Sequence, residues 1–287
     1  MLEKELGDFL SSLEMPVETR TRKIITPYEL DFYFPDKKFA VEFCGLYWHS
    51  DALLPKNYHS DKLRMAKDKG VRLVQIFEDE WLYKEKLVRG MLTRMLVGEL
   101  ETLGARRCEA AFVSGSEARK FYLDNHLSGF AAAQEHIALM LHGSPVAMAS
   151  FSGKRAIYGG KEETDKKELV RFCTSLNLKV HGGLEKLIAF YFSERPEVNK
   201  VVSYVDRRWF TGKTYVDAGF SLLGQTPTGY YYVKGQKRYS RFYFPKHKLK
   251  DRLENYDAGL TEKENMVNNG YFRIYDCGNL KYEIARK

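Results

Sequence analysis

The sequence predicts an α/β protein of two domains, and three observations predict it. Its 287 residues are too many for one ordinary core and suggest two, at roughly 150 residues per domain. Hydrophobic residues make up 44% of the chain and aromatic residues 14%, which indicates globular folding rather than disorder. Helical and strand periodicities alternate along the chain, and the composition changes near residue 105. The expected domains are residues 1–105 and 106–250, with 251–287 as a C-terminal extension.

Leu6, Phe9, Leu10 and Leu13 form the apolar stripe of a short helix over residues 3–14, with Glu3 and Glu5 at its start. Two strands follow over residues 29–34 and 39–44, joined by a turn at Pro35-Asp36-Lys37-Lys38. Residues 58–69 read as a helix stopped by Gly70, and Val71 to Phe77 as a strand covered on two faces. A helix is expected over residues 82–107, with Leu87, Met91, Met95 and Leu100 on one side. Beyond it come a helix from Glu117 to Asn125, a hairpin turning at His142-Gly143, and a strand from Glu168 to Thr174. A Gly-rich turn at His181-Gly182-Gly183 then opens a helix, and a strand runs from Val201 to Tyr204. The tail is expected to add a helix and a short hairpin around Asn268-Asn269-Gly270.

Several function classes fall away. No run of roughly 18 apolar residues is present, so no membrane span is expected. The start, Met1-Leu2-Glu3-Lys4, lacks the layout of a signal peptide, and a cytoplasmic protein is expected. Cys44, Cys108, Cys173 and Cys277 form no CxxC pair, which argues against a disulfide framework and a structural zinc knuckle. A net charge of +8 makes a polyanionic partner plausible.

The residues that carry chemistry interrupt the first hairpin. Asp31 and Glu42 are carboxylates inside runs of β-formers, where a charge is costly unless paired or bound to metal. His49 follows after Gly45-Leu46-Tyr47-Trp48. Carboxylates on neighbouring strands suit a hard cation, Mg²⁺ with Mn²⁺ as substitute, with Asp31 and Glu42 as ligands. A zinc site built from Cys44, His49 and His59 lacks supporting spacing. Tyr47 and Trp48 read equally as core residues or as a wedge against DNA bases.

Asp31, the Glu42-to-His49 stretch, Asn57-Tyr58-His59, Asp61-Lys62 and the Gly70-to-Trp81 stretch together resemble the very-short-patch-repair-like branch of the PD-(D/E)XK nuclease superfamily. The match is to phage-type homing endonucleases with an EDxHD motif, over the first third of the chain. That resemblance implies a nuclease domain with a mixed sheet flanked by helices. It assigns Asp31, Glu42 and His49 to catalysis and puts a glutamate of the first helix at the site, Glu5 favoured over Glu3. It makes His59, Lys62 and Asp79 further candidates. Cys44 stands where the superfamily's usual lysine would be.

In the second part, Asp206, Arg208, Gly212, Tyr215, Gly219 and Phe220 resemble the late D-x-R…G-x-x-Y…G-F pattern of the acyl-CoA N-acyltransferase (GNAT) fold, an α+β fold. The resemblance covers residues 108–245, and the pyrophosphate loop is only partly met by His181-Gly182-Gly183. No cofactor-binding residue is assigned there, and reuse of this domain for DNA binding is expected. Residues 230–252 interleave tyrosines and phenylalanines with lysines and arginines, a pattern suited to a phosphate backbone. The expected DNA contacts are Arg22, Lys23, Tyr47, Trp48, Arg207, Arg208, Lys237, Arg238 and Arg241.

The functional expectation is a metal-dependent, site-specific endonuclease acting on double-stranded DNA in a bacterial host cell, with a homodimer possible on a two-fold site. The alternatives are an acyl-CoA-dependent transferase modifying DNA or a nucleotide, and a catalytically silent DNA-binding protein.

Overall fold

A computed structural model describes residues 1–98, 101–152 and 165–286. The first stretch contains helix α1 (Leu2–Ser11), strands β1 (Glu18–Thr21), β2 (Leu30–Phe34) and β3 (Phe39–Cys44), helix α2 (Tyr58–Asp68), strand β4 (Arg72–Phe77) and helix α3 (Glu78–Leu96). Next come β5 (Glu101–Gly104), β6 (Glu109–Phe112), α4 (Gly115–Asn125), β7 (Glu135–Leu141), β8 (Ser144–Phe151) and β9 (Lys166–Thr174). They are followed by β10 (Leu178–His181), α5 (Gly183–Glu194), β11 (Lys200–Asp206), α6 (Lys213–Asp217) and β12 (Ser221–Gln225). The chain finishes with β13 (Tyr230–Lys234), β14 (Lys237–Ser240), α7 (Leu249–Arg252), α8 (Glu262–Asn268), β15 (Phe272–Tyr275) and β16 (Asn279–Ala285). The architecture is mixed α/β, with mixed sheets.

The chain divides into two compact units that interleave in sequence. The first comprises 1–85, 207–209 and 227–278; the second comprises 86–206, 210–226 and 279–287. This differs from the consecutive segments 1–105, 106–250 and 251–287. Residues 227–278 are an insertion that packs with the N-terminal segment, and the residues after it return as the last strand of the second unit.

In the first unit, a four-stranded sheet runs in the order β1-β2-β3-β4, antiparallel except for the parallel β3–β4 pair. Pro35 starts the tight turn between β2 and β3, and Lys38 closes it at a φ of +46°. Leu6, Phe9 and Leu10, one helical face of α1, are buried. β4 is buried at every position after Arg72, as its nearly continuous apolar run requires, with Gln75 as the one polar residue. A separate three-stranded sheet, β14-β13-β15, is formed by the insertion.

A buried charge cluster joins the three segments of this unit. Arg208 donates from both terminal nitrogens to the Glu80 carboxylate, at 3.1 and 2.9 Å, and Arg238 donates to Glu80 at 3.0 Å and Asp79 at 3.2 Å. The Arg208 and Arg238 guanidinium groups lie 4.0 and 4.5 Å from the Phe77 ring centre. Burial opposes ionisation of Glu80, but the two guanidinium groups outweigh it and hold the carboxyl at about 2.

The second unit is built on a seven-stranded sheet in the order β12-β16-β11-β9-β8-β7-β6. Alternation along β7 and β8 covers it on two faces. Ile137, Leu139, Ala147 and Ala149 pack with Leu184, Leu187 and Tyr191 of α5, while Ala138 and Met148 pack with Ala118, Phe121 and Tyr122 of α4. A capping box at Ser114 and Glu117 fixes the start of α4.

Two expected elements are corrected. The helix expected over 82–107 follows a first turn from Glu78 that is kinked at Lys84, and it ends at Leu96, since residues 101–104 pair in parallel with β10; Leu100 lies outside the described residues. The hairpin expected around Asn268-Asn269-Gly270 does not form: β15 pairs with β13, and β16 pairs with β11 and β12.

Removing one member of a buried ion cluster strands the other charges. Glu80→Ala is expected to lower unfolding stability by about 3–5 kcal/mol. Urea unfolding of the full chain measures this, and a loss below about 1 kcal/mol would contradict it.

Candidate functional site

Three arrangements concentrate titratable groups. The first lies where β2 and β3 continue their antiparallel register past Phe32 and Val41, which brings Asp31 and Glu42 together. Asp31 Oδ2 accepts from the Phe43 backbone N–H at 2.8 Å. Glu42 Oε1 is in direct contact with Lys62 of α2, and both side chains are buried. Glu42 Oε2 is buried without a hydrogen-bond partner. Burial, with smaller contributions from Glu3 and Glu29, raises the Asp31 carboxyl to about 6 against Lys62 and the Phe43 N–H. Burial and the Asp31 charge push Glu42 up to about 8. Burial opposes the Lys62 charge, but contact with Glu42 carries its ammonium above the usual lysine range.

The second arrangement adjoins it. His49 Nδ1 and His59 Nε2 lie 3.0 Å apart with nearly parallel rings, and the Cys44 sulfur joins them so that the three ligand atoms fall within 4.8 Å of one another. Gln75 fixes α2 here by donating to the His59 carbonyl at 2.9 Å. Burial first, then the Lys62 charge, lowers His49 to about 4; burial, then His49 and Arg208, lowers His59 to about 3. Two neutral imidazoles and a thiol suit a borderline-soft ion such as Zn²⁺, whereas Asp31 and Glu42 suit Mg²⁺ or Mn²⁺.

The other candidates scatter. Glu5 is exposed, and Glu3 is the helix α1 acid whose charge reaches Asp31. Asp79 is bound to Arg238 and so belongs to the buried ion cluster rather than to this site. Among the expected DNA contacts, Arg208 is 3% exposed and Arg238 is held by Asp79 and Glu80, so neither presents a cation to a partner. Arg207 donates to the Cys277 carbonyl at 2.6 Å. Arg22 is exposed and pairs with Glu29 at 3.2 Å; Lys23 and Lys237 are exposed. Tyr47 and Trp48 are 48% and 70% exposed, so neither is a core residue.

The third arrangement lies in the second unit. Parallel strands β9 and β11 pair only from Lys166–Leu169 to Lys200–Ser203. Their ladder stops where β9 skips a residue against β8, between Leu169 and Arg171. Such a bulge bends a strand and ends pairing. Beside it, Ser203 Oγ lies 3.0 Å from the Leu169 carbonyl oxygen and 3.2 Å from the Tyr215 hydroxyl. Burial raises the Tyr215 phenol above the ordinary tyrosine range, so it is a neutral O–H at pH 7. Tyr215 is positioned by Gly212 at the head of α6: its φ is +81°, and a Cβ there would lie 2.1 Å from the Tyr282 hydroxyl. The His181-Gly182-Gly183 turn does open α5, with Gly182 at φ +70°, but Glu185 sits in the first turn.

The sequence reading missed a buried network in the same unit. Ser150 Oγ lies 2.7 Å from His136 Nδ1 and 2.8 Å from the Tyr122 hydroxyl. Ser150 is fully buried, so the network ties β7, β8 and α4 together rather than offering a nucleophile. Its members are spread over 28 residues with no motif spacing.

No protein-family model matches the chain, and no curated protein matches it. Solved structures are similar to parts of it. The catalytic domain of the homing endonuclease I-Bth0305I is 24% identical, with 34% of this chain and 95% of that one covered and a TM-score of 0.29. A Bacillus subtilis acetyltransferase in complex with CoA is 12% identical, covering 63% of this chain and 99% of that one at a TM-score of 0.34. A ribosomal-protein-alanine N-acetyltransferase from Brucella melitensis is 11% identical, covering 62% and 99% at 0.34. These comparisons correct the endonuclease expectation. Acetyltransferases span far more of this chain than the endonuclease domain does, and they fit the transferase alternative better. Among the described residues, no helix is long and apolar enough to cross a membrane.

The low histidine values carry a pH consequence. Between about 6.5 and 4 the unfolded chain takes up protons that His49 and His59 refuse in the fold, so stability falls on acidification through that window. Replacing His59 by Gln is expected to flatten the decline in a urea series from pH 7 to pH 4. An unchanged slope would contradict neutral imidazoles in the fold.

Proposed function

We propose that the protein is an acyl-CoA-dependent transferase whose reaction centre lies in the second unit. The observation that carries this reading is the early end of the β9–β11 ladder, with the Tyr215 hydroxyl beside the opening. An extended thioester chain would align along the parted strands, using main-chain groups that the ladder no longer pairs. An acceptor nucleophile would attack the thioester carbonyl, the carbon–sulfur bond would break, and the departing thiolate would take a proton from Tyr215. The acceptor's proton leaves to solvent, and the tyrosinate takes one back from solvent, so the transfer balances. The sheet order, with β16 between β12 and β11, supports the same reading.

The test is transfer of radiolabelled acetyl from acetyl-CoA to a mixed panel of amines, nucleotides and DNA. Wild type is expected to label one acceptor class. Tyr215→Phe is expected to lower kcat by about 10²–10⁴ while leaving KM for acetyl-CoA within a few-fold. No labelled acceptor, with acetyl-CoA unbound, would refute the reading.

A second reading concerns the first unit, where the partnerless Glu42 Oε2 favours a divalent-cation site. Asp31 and Glu42 would hold Mg²⁺ or Mn²⁺, displacing the Glu42 proton and turning Lys62 aside. Binding should then strengthen as pH rises toward 8 and vanish in Glu42→Gln. Thermal shifts with Mg²⁺, Mn²⁺ and Zn²⁺ discriminate the sites: a zinc-only shift lost in His59→Ala would reject the oxygen site in favour of the Cys44–His49–His59 group.

A further inference from the structure

The insertion carries the aromatic and basic residues of segment 230–252, and the fold divides them into two sets. Tyr232, Phe244, Leu249, Leu253 and Met266 form a core, with Tyr230, Tyr239 and Tyr271 packed against it. Phe242 and Tyr243 are 75% and 53% exposed, Tyr243 resting one side of its ring against Phe244 at 5.0 Å between ring centres. Each outward ring carries a guanidinium: Arg241 lies 4.9 Å from the Phe242 ring centre, and Arg252 lies 4.2 Å from that of Tyr243. Lys246, Lys248 and Lys250 are exposed in the same turn-rich segment, with Asp251 as the one acid between Phe242 and Arg252.

We propose that this segment is a binding surface for single-stranded nucleic acid, with Phe242 and Tyr243 as stacking platforms and Lys246, Lys248 and Lys250 along the phosphates. The core rings of this segment account for its folding, so the two exposed rings are left for a partner. A ring with a cation on it offers a flat surface to an unpaired base and a charge to its phosphate at once. A duplex hides its base faces by stacking, so it can use the lysines but not the rings. Phosphate contact by the lysines adds a sequence-independent term that weakens with salt. The proposal is independent of the transferase reading.

The experiment is fluorescence anisotropy of the full chain with a mixed-sequence oligonucleotide of about 12 nucleotides, compared with the same sequence as duplex and with heparin as competitor. The single strand is expected to bind more tightly than the duplex. The double variant Phe242→Ala, Tyr243→Ala is expected to weaken single-strand binding by about 10-fold or more while leaving duplex binding within about two-fold. With one phosphate engaged by each of the three lysines, raising salt from about 50 to about 200 mM should cost about 20-fold in affinity. Tyr243 also touches Phe244, so the single variant Phe242→Ala, whose ring is the more exposed, is the control: its thermal midpoint should match wild type while single-strand binding still weakens. Equal binding of single strand and duplex, insensitive to the double variant, would overturn the proposal in favour of a plain polyanion surface. So would an absence of binding at low salt.

Discussion

The first unit depends on one buried carboxylate. Glu80 stands at the start of α3, directly after β4, and its two oxygens receive guanidinium groups from residues 208 and 238. A lone charge at that depth would be prohibitive, so each of the three segments requires the others. The Phe77 ring lies against both guanidinium groups and shields the cluster from water. Once this knot forms, residues 207–209 and the insertion belong to the N-terminal segment whatever their position in the chain. The same knot removes Arg208, Arg238 and Asp79 from any surface chemistry.

In the second unit the governing constraint is the bulge in β9. It ends the parallel ladder with β11 after four paired positions and leaves the phenol of Tyr215 at the place where the strands part. Gly212 is part of that device, because the helix carrying Tyr215 can start only from a left-handed residue with no Cβ against Tyr282. A protonated phenol beside parted strands is a proton donor, which is the property a thioester leaving group requires.

Much of the local structure was legible in the sequence. The β2–β3 hairpin was marked by alternation and Pro35, α1 by the Leu6–Phe9–Leu10 stripe, and the turn into α5 by its glycines. Asp31, Glu42, His49, His59 and Lys62 were singled out as chemical residues and do come together. What was not legible depends on pairing over long separations. Whether Arg208 faces solvent or Glu80 is decided by a contact across 128 residues, which no local pattern records. The interleaving of the units fails for the same reason: nothing in residues 227–278 states which sheet will receive β15. Glu5 is exposed on α1, whereas the charge of Glu3 reaches Asp31, a difference of side-chain placement that the helical stripe does not record. The functional expectation drew on the first third of the chain, where the carboxylates and histidines interrupt the first hairpin.

The central claim, an acyl-CoA-dependent transferase, is tested most directly by calorimetric titration of the full chain with acetyl-CoA. The account predicts saturable one-to-one binding that Tyr215→Phe leaves within a few-fold. No heat at millimolar acetyl-CoA, from a chain shown to be folded, would contradict it.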